Sequence, residues 1–212
     1  AAARHLTNGS KRVLISAPGK DADRTVVYGV NHTELTSEDV IVSNASCTTN
    51  CLAPVALVLD RAFGIKTGYM TTIHAFTGDQ PSHDTNHKDL YRARAASVSM
   101  VPVPPPNVSM VDLCFMPERS ATADAVNAAI AEAAEGALAG VLSYEVNPLV
   151  SVDFNHDPHS SCFAAAQTSV TDGGLIRVVS WYDNEWGFSN RMLDTGVRMG
   201  RLMRNTHLQK AS

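Results

Sequence analysis

The chain has 212 residues, of which 44% are hydrophobic and 18% charged, and its formal net charge at pH 7 is −4. That balance fits a soluble globular protein of one or two domains and excludes a disordered chain. It leaves no electrostatic footprint for nucleic acid or an anionic membrane, and no apolar run approaches the length of a membrane span.

Its 4 cysteines, at positions 47, 51, 114 and 162, do not read as a disulfide framework in a chain of this length. A reducing, cytoplasmic home without a secretory leader is therefore expected. Residues 1–6 have helix-forming character, and Asn8-Gly9 stops them. The apolar runs 12–16, 25–30 and 40–42 predict short strands, with 31–34 a turn. They show no alternation, which suggests burial on both faces, as in a parallel sheet.

Next comes Ser43-Asn44-Ala45-Ser46-Cys47-Thr48-Thr49-Asn50-Cys51, followed by an apolar segment that ends at Phe63-Gly64. Strand, turn and helix are predicted, with Cys47 at or just before the helix N-terminus. The unpaired N–H groups and positive dipole end there favour an anion. Cys47 should therefore ionise more easily than a free cysteine, and the thiolate is the nucleophile. Ser46, Thr48 and Thr49 add hydroxyls that suit a second anion. Position alone would still make a free cysteine a packing residue. Cys51, one turn on, reads that way, and C-x3-C without a second pair is poor zinc spacing.

Residues 67–77 alternate as a strand, with His74 on the face of Met70, Thr72 and Phe76. By periodicity alone such a histidine is structural. A turn over 77–81 and a polar loop over 83–94 follow. His83 and His87 lie near Asp84 and Asp89 without metal-ligand spacing, so no metal is expected. Residues 108–116 predict a central strand. Ser120 is placed as the N-cap of a helix over 121–135, whose stripe is Val126, Ala129, Ile130 and Ala133. Strands over 141–146, 161–170 and 175–182 follow, the last after the hairpin signal Asp172-Gly173-Gly174. A helix from 185 to about 203 closes the chain, and Gly196 and Gly200 on one of its faces allow close packing.

Ser43-Asn44-Ala45-Ser46-Cys47-Thr48-Thr49-Asn50-Cys51-Leu52-Ala53-Pro54 resembles the active-site signature of the phosphorylating glyceraldehyde-3-phosphate dehydrogenases. The resemblance continues through Thr71-Thr72-Ile73-His74-Ala75, Pro106-Asn107-Val108-Ser109-Met110-Val111-Asp112-Leu113 and Ser180-Trp181-Tyr182-Asp183-Asn184-Glu185-Trp186-Gly187, in the family's order. It implies a mixed fold, α/β and α+β. Residues 1–46 would be the remnant of a Rossmann-type parallel-sheet domain. Residues 47–183 would be an α+β catalytic domain with a mostly antiparallel sheet, and 184–212 a helix packing back on the first part.

The same resemblance implies oxidation and phosphorylation of glyceraldehyde 3-phosphate to 1,3-bisphosphoglycerate, with NAD and inorganic phosphate, in a homotetramer. Cys47 matches the nucleophile that forms the hemithioacetal and thioester, and His74 matches the base. Ser46, Thr49 and Arg92 look like the attacking-phosphate site. Thr77, with Asp79 beside it, looks like a ligand of the substrate's own phosphate. Asn184 looks like the residue that bonds the nicotinamide carboxamide, where the residues alone read equally as a helix N-cap. Phe188 stands where the family usually has a tyrosine packing near the ring.

There are departures. No Gly-x-Gly-x-x-Gly follows a strand, so the NAD fingerprint and its ribose partner are not in the sequence. An excursion that the family carries between Pro102 and Val103, with a Thr-Gly pair and an arginine, is absent. Three other readings stay open: an erythrose-4-phosphate dehydrogenase, an inactive fragment serving as a binding or antigenic module, and a plain cysteine hydrolase. The hydrolase would explain Cys47 and His74 but not Asn184.

Overall fold

The computed structural model describes residues 2–76, 80–88, 90, 93–95 and 108–209. After a short helix α1 (Ala3–Thr7), strands β1 (Val13–Ile15) and β2 (Arg24–Thr25) both pair in parallel with β3 (Ile41–Ser43). The unalternating apolar runs thus form a parallel sheet in the order β1-β3-β2. The strand expected over 25–30 stops at Thr25. Val26 and Val27 remain buried, but the Asn31 side chain accepts from the Val27 N–H at 2.8 Å, and the chain folds into a turn.

Helix α2 (Cys47–Phe63) begins directly after β3, across three residues. Ser46 caps it, its hydroxyl accepting from the Thr49 N–H at 3.0 Å. Gly64, with φ +73°, ends it in a conformation that a side chain would strain, and a Cβ there would collide with Glu118.

The second sheet holds β4 (Ile65–Ile73), β5 (Ser109–Pro117), β6 (Leu142–Glu145), β7 (Ser161–Ala164), β8 (Ser169–Val170) and β9 (Ile176–Tyr182). Its order is β4-β5-β9-β7-β6, with β8 on β9. Every pairing is antiparallel except β6 with β7, so the mostly antiparallel expectation holds. The single strand predicted over 161–170 is two, separated by a 3-10 turn at Ala165–Gln167. β4 ends at Ile73, four residues before the predicted limit, which leaves His74 just beyond the sheet. Thr122 rather than Ser120 caps helix α3 (Ala123–Glu135), its hydroxyl accepting from the Ala125 N–H at 3.2 Å.

Helices α2 and α3 cover the inner face of this sheet. Cys51, Val55 and Leu59 of α2 and Val126 and Ile130 of α3 pack with Val111, Leu113, Phe115, Phe163 and Val178 in one buried core. Full burial of each such side chain contributes about 1.5–3 kcal/mol, which fixes the angle at which α2 delivers Cys47. The opposite face is open: Tyr69 is 75% exposed, paired across the ladder with Cys114. The last helix, α4 (Trp186–Gln209), returns to the parallel sheet, where Met199 joins Val26, Leu35 and Val42 in a second core. Of its two glycines, Gly196 lies against Leu14, whereas Gly200 faces open space, so close packing is found at only one of the two expected places.

Candidate active site

The helix cap and the sheet end meet. Cys47 is the first residue of α2, and its Sγ lies 3.2 Å from Nε2 of His74, the residue after β4. The His74 Nδ1 bonds the carbonyl of Ala75. A carbonyl only accepts, so Nδ1 carries the hydrogen, and in the neutral ring Nε2 presents its lone pair to the thiol. That is the tautomer a base for Cys47 requires.

Tyr182, at the end of β9, braces the pair. Its ring meets the His74 ring edge-on with centroids 5.8 Å apart. Its hydroxyl bonds Thr48 Oγ1 at 2.8 Å and Thr72 Oγ1 at 3.3 Å, tying the first turn of α2 to β4. Burial pushes the Tyr182 hydroxyl well above the ordinary phenol range, so it stays protonated.

Burial also pushes the Cys47 thiol up, although the backbone N–H and the hydroxyl of Thr48 pull the other way. This corrects the expectation of easy ionisation. The helix start does supply donors, but the half-buried sulfur loses more solvation than they return. Reactivity therefore depends on the imidazole 3.2 Å away, which can take the proton and stay as a counter-ion. Cys51 is fully buried and its thiol is pushed up to about 12, as befits packing.

A second chain of bonds runs from the base to Asn184. The Ala75 N–H donates to Ser109 Oγ at 2.9 Å, and the Ser109 hydroxyl donates to Asn184 Oδ1 at 2.9 Å. This sets the amide orientation, with the Asn184 NH2 turned away from Ser109. Asn184 is not the cap of α4. That role falls to Asp183, whose Oδ1 accepts from Glu185 and Trp186 N–H groups at 2.9 and 2.8 Å.

The backbone is strained at both flanks. Ala45, just before the cap, has φ +58°, and Val108, just before Ser109, has φ +62°. A β-branched residue in that region is a genuine outlier, and such strain collects at functional sites.

Ser46 Oγ and Thr49 Oγ1 lie 2.7 Å apart at the mouth of α2, on either side of Cys47 in sequence. Phe188 is half-buried in the first turn of α4, near Asn184 in sequence. Thr77, Asp79 and Arg92 lie outside the described residues, as does the Pro102–Val103 junction. Ser109 and Tyr182 were not foreseen. Each occupies an alternating strand position that reads as ordinary core, and only the fold reveals their partners.

A thiol and an oriented imidazole, linked through Ala75 and Ser109 to a carboxamide on an α+β scaffold, make the core of a cysteine-based catalytic domain. The family model for the C-terminal domain of glyceraldehyde 3-phosphate dehydrogenase matches residues 46–104 and 101–184. The chain is 58% identical over 228 residues to the glyceraldehyde-3-phosphate dehydrogenase of Cereibacter sphaeroides, and 56% identical over 227 residues to that of Xanthobacter flavus. Each match covers 95% of this chain and 68% of the relative. Glyceraldehyde-3-phosphate dehydrogenase 1 of Bacillus subtilis is 48% identical, over 94% of this chain and 68% of its own length. This chain belongs to the glyceraldehyde-3-phosphate dehydrogenase family.

Proposed function

We propose that the chain carries the catalytic machinery of an NAD-dependent, phosphorylating glyceraldehyde-3-phosphate dehydrogenase. One observation carries the assignment: the 3.2 Å contact between Cys47 Sγ and Nε2 of His74, in a chain of this family. The thiol gives its proton to Nε2, the sulfur attacks the aldehyde carbon of glyceraldehyde 3-phosphate, and the imidazolium passes that proton to the new alkoxide, which gives the hemithioacetal and frees Nε2. His74 next removes the hydroxyl proton of that adduct as the carbon is oxidised to a thioester. The Cys47 backbone N–H, at the helix start, steadies the oxyanion. Inorganic phosphate, held by Ser46 and Thr49, then cleaves the thioester, and the acyl phosphate 1,3-bisphosphoglycerate leaves. A thioester suits this sequence because it keeps the energy of oxidation available to phosphate, which a serine ester would not.

NAD, when bound, supplies the hydride acceptor. The fit of this chain to it rests on Asn184, a nearly buried amide whose orientation Ser109 fixes and whose NH2 suits a carboxamide oxygen. Phe188 would pack near the ring. Thr77 and Asp79 are proposed for the substrate phosphate, and Arg92 for the attacking one, by family resemblance.

The domain division follows the same reading: 1–46 as the remnant of the cofactor domain, 47–183 as the catalytic domain, and 184–212 as a helix returning to the first. A homotetramer is proposed on the open sheet face, where Tyr69 and Ile73 are exposed beside Met110 and Cys114. Among the described residues no helix is long and apolar enough to cross a membrane, and a cytoplasmic location is proposed.

The test is NADH formation from glyceraldehyde 3-phosphate, NAD and phosphate, by the unaltered protein and by Cys47→Ser. The substitution should abolish it. Retained turnover in Cys47→Ser would overturn the assignment, and faster turnover of erythrose 4-phosphate would change the substrate.

A further inference from the structure

Away from the Cys47–His74 pair, a second group of polar side chains converges on the loop that enters β7. Asp157, His159 and Cys162 place a carboxylate oxygen, an imidazole nitrogen and a sulfur all within 4.8 Å of one another. The three come from a six-residue span, Asp157-Pro158-His159-Ser160-Ser161-Cys162. Asp157 Oδ1 accepts from His159 Nδ1 at 2.7 Å and from the His159 backbone N–H at 2.8 Å. The Cys162 sulfur lies within 4.8 Å of the same carboxylate, and Ser143 on the adjacent strand β6 is its partner in the ladder.

The burial is graded. Cys162 is fully buried against Val108 and Phe154, while the His159 and Asp157 side chains are 28% and 29% exposed. Entry is therefore from the histidine and aspartate side, with the sulfur at the floor.

We propose that Asp157, His159 and Cys162 form a three-ligand site for a zinc-class divalent cation, with the fourth position open to solvent. The donor set selects the metal. Magnesium and calcium want six or more oxygens, whereas one thiolate, one imidazole and one carboxylate suit a borderline-soft tetrahedral ion. A tetrahedral zinc, with bonds of about 2.0–2.3 Å, holds its ligands roughly 3.3–3.8 Å apart. With every edge within 4.8 Å, the longest has to close by at most roughly 1–1.5 Å and the 2.7 Å Asp157–His159 edge has to open by roughly 0.6 Å, shifts that side-chain rotation of Asp157 and His159 on their loop supplies.

The ion would take the place of the Nδ1–H bond between His159 and Asp157, with Nδ1 as the ligand nitrogen and its proton moved to Nε2 of the same ring, so that only the thiol proton is released. As the metal–sulfur bond forms, the S–H bond breaks and the proton leaves to buffer; nothing is oxidised or reduced. The Ser143 hydroxyl would then donate to the bound thiolate from outside the coordination sphere. The ion would pin the 155–160 loop to β7. That loop also holds Asp183, through the His156 N–H at 2.8 Å, and so the turn that presents Asn184.

The experiment titrates Co²⁺ into the chelator-treated full chain. It reads the thiolate-to-cobalt charge-transfer band and the heat of binding in two buffers of different ionisation enthalpy. We expect one equivalent to bind, with one proton released and an unfolding temperature that rises with added Zn²⁺. Cys162→Ala should abolish the charge-transfer band and weaken binding at least a hundredfold. His159→Ala should weaken binding at least tenfold, and Cys47→Ala should leave both readings unchanged. A band lost in Cys47→Ala and kept in Cys162→Ala would place the ion at the catalytic pair and overturn the proposal. So would the lack of saturable binding up to millimolar Co²⁺. Should Cys162→Ala fail to fold, Asp157→Asn and His159→Ala, at the exposed rim, decide the matter. Unchanged affinity in both refutes the site.

Discussion

Replacing His74 with asparagine keeps a polar side chain of similar reach and removes the proton acceptor. The magnitude follows from the 3.2 Å separation of Nε2 and Sγ. Two unit charges at that distance attract by about 5 kcal/mol at an effective dielectric of 20. The half-exposed rim of the site screens at least half of this, leaving roughly 2 kcal/mol of support for the thiolate. Burial already holds the Cys47 thiol up, so without the imidazole nothing comparable draws the proton off. Alkylation of Cys47 by iodoacetamide at pH 7, followed by mass, should therefore slow about thirtyfold in His74→Asn, at 1.36 kcal/mol per tenfold. Circular dichroism would confirm that the fold is kept. The reaction needs no cofactor, so it isolates the thiol. A loss smaller than about threefold would mean that the helix start alone ionises the cysteine, and the ion-pair argument would fail.

Three further outcomes follow from the same contacts. Tyr182→Phe leaves the ring in place but strips a partner from Thr48 and Thr72, so denaturant unfolding should show a loss of about 1 kcal/mol; no loss would show that water replaces the phenol. Burial alone would push the Asp39 carboxyl up, but the Thr36 N–H and hydroxyl together with the Arg24 guanidinium outweigh it and hold it below the usual range. With a depressed folded value, this stabilisation is complete above the unfolded carboxyl range, near pH 4, and is lost as pH falls through the folded value. Asp39→Asn should thus cost about 1.5–3 kcal/mol at pH 7, with the gap to the unaltered protein narrowing in acid; a gap that stays constant with pH would contradict this origin. Ser109→Ala releases the Asn184 amide and should raise KM for NAD roughly tenfold, the equivalent of one hydrogen bond to a buried group. Equal KM values would remove Ser109 from the cofactor site.

Elements with a one-dimensional signature were legible in the sequence. The parallel sheet showed in apolar runs without alternation, and the start of α2 showed in Ser46 with the hydroxyls that follow it. Strand 25–30 failed because Asn31 competes for the Val27 N–H from a distance that propensity does not weigh. The cap of α3 moved from Ser120 to Thr122 because both are good caps, and the core contacts of Val126 and Ile130 set the register. At the site, Cys47 and His74 were identified by resemblance, since periodicity alone made His74 structural. The ionisation of Cys47 was misjudged because helix position carries no measure of burial. The roles of Ser109 and Tyr182 depend on contacts 34 or more residues apart, such as Ser109 with Asn184 at a separation of 75. No local pattern encodes these.

Ala75 connects the two halves of the site without using its side chain. Its carbonyl receives the His74 ring, and its N–H reaches Ser109 and hence Asn184. The link between proton acceptor and carboxamide is thus written in main-chain atoms that every residue except proline possesses. Drift at this position can alter volume but leaves the wiring in place, so the two functions are inherited together. Separating them takes a proline, or a change in the path of the chain itself.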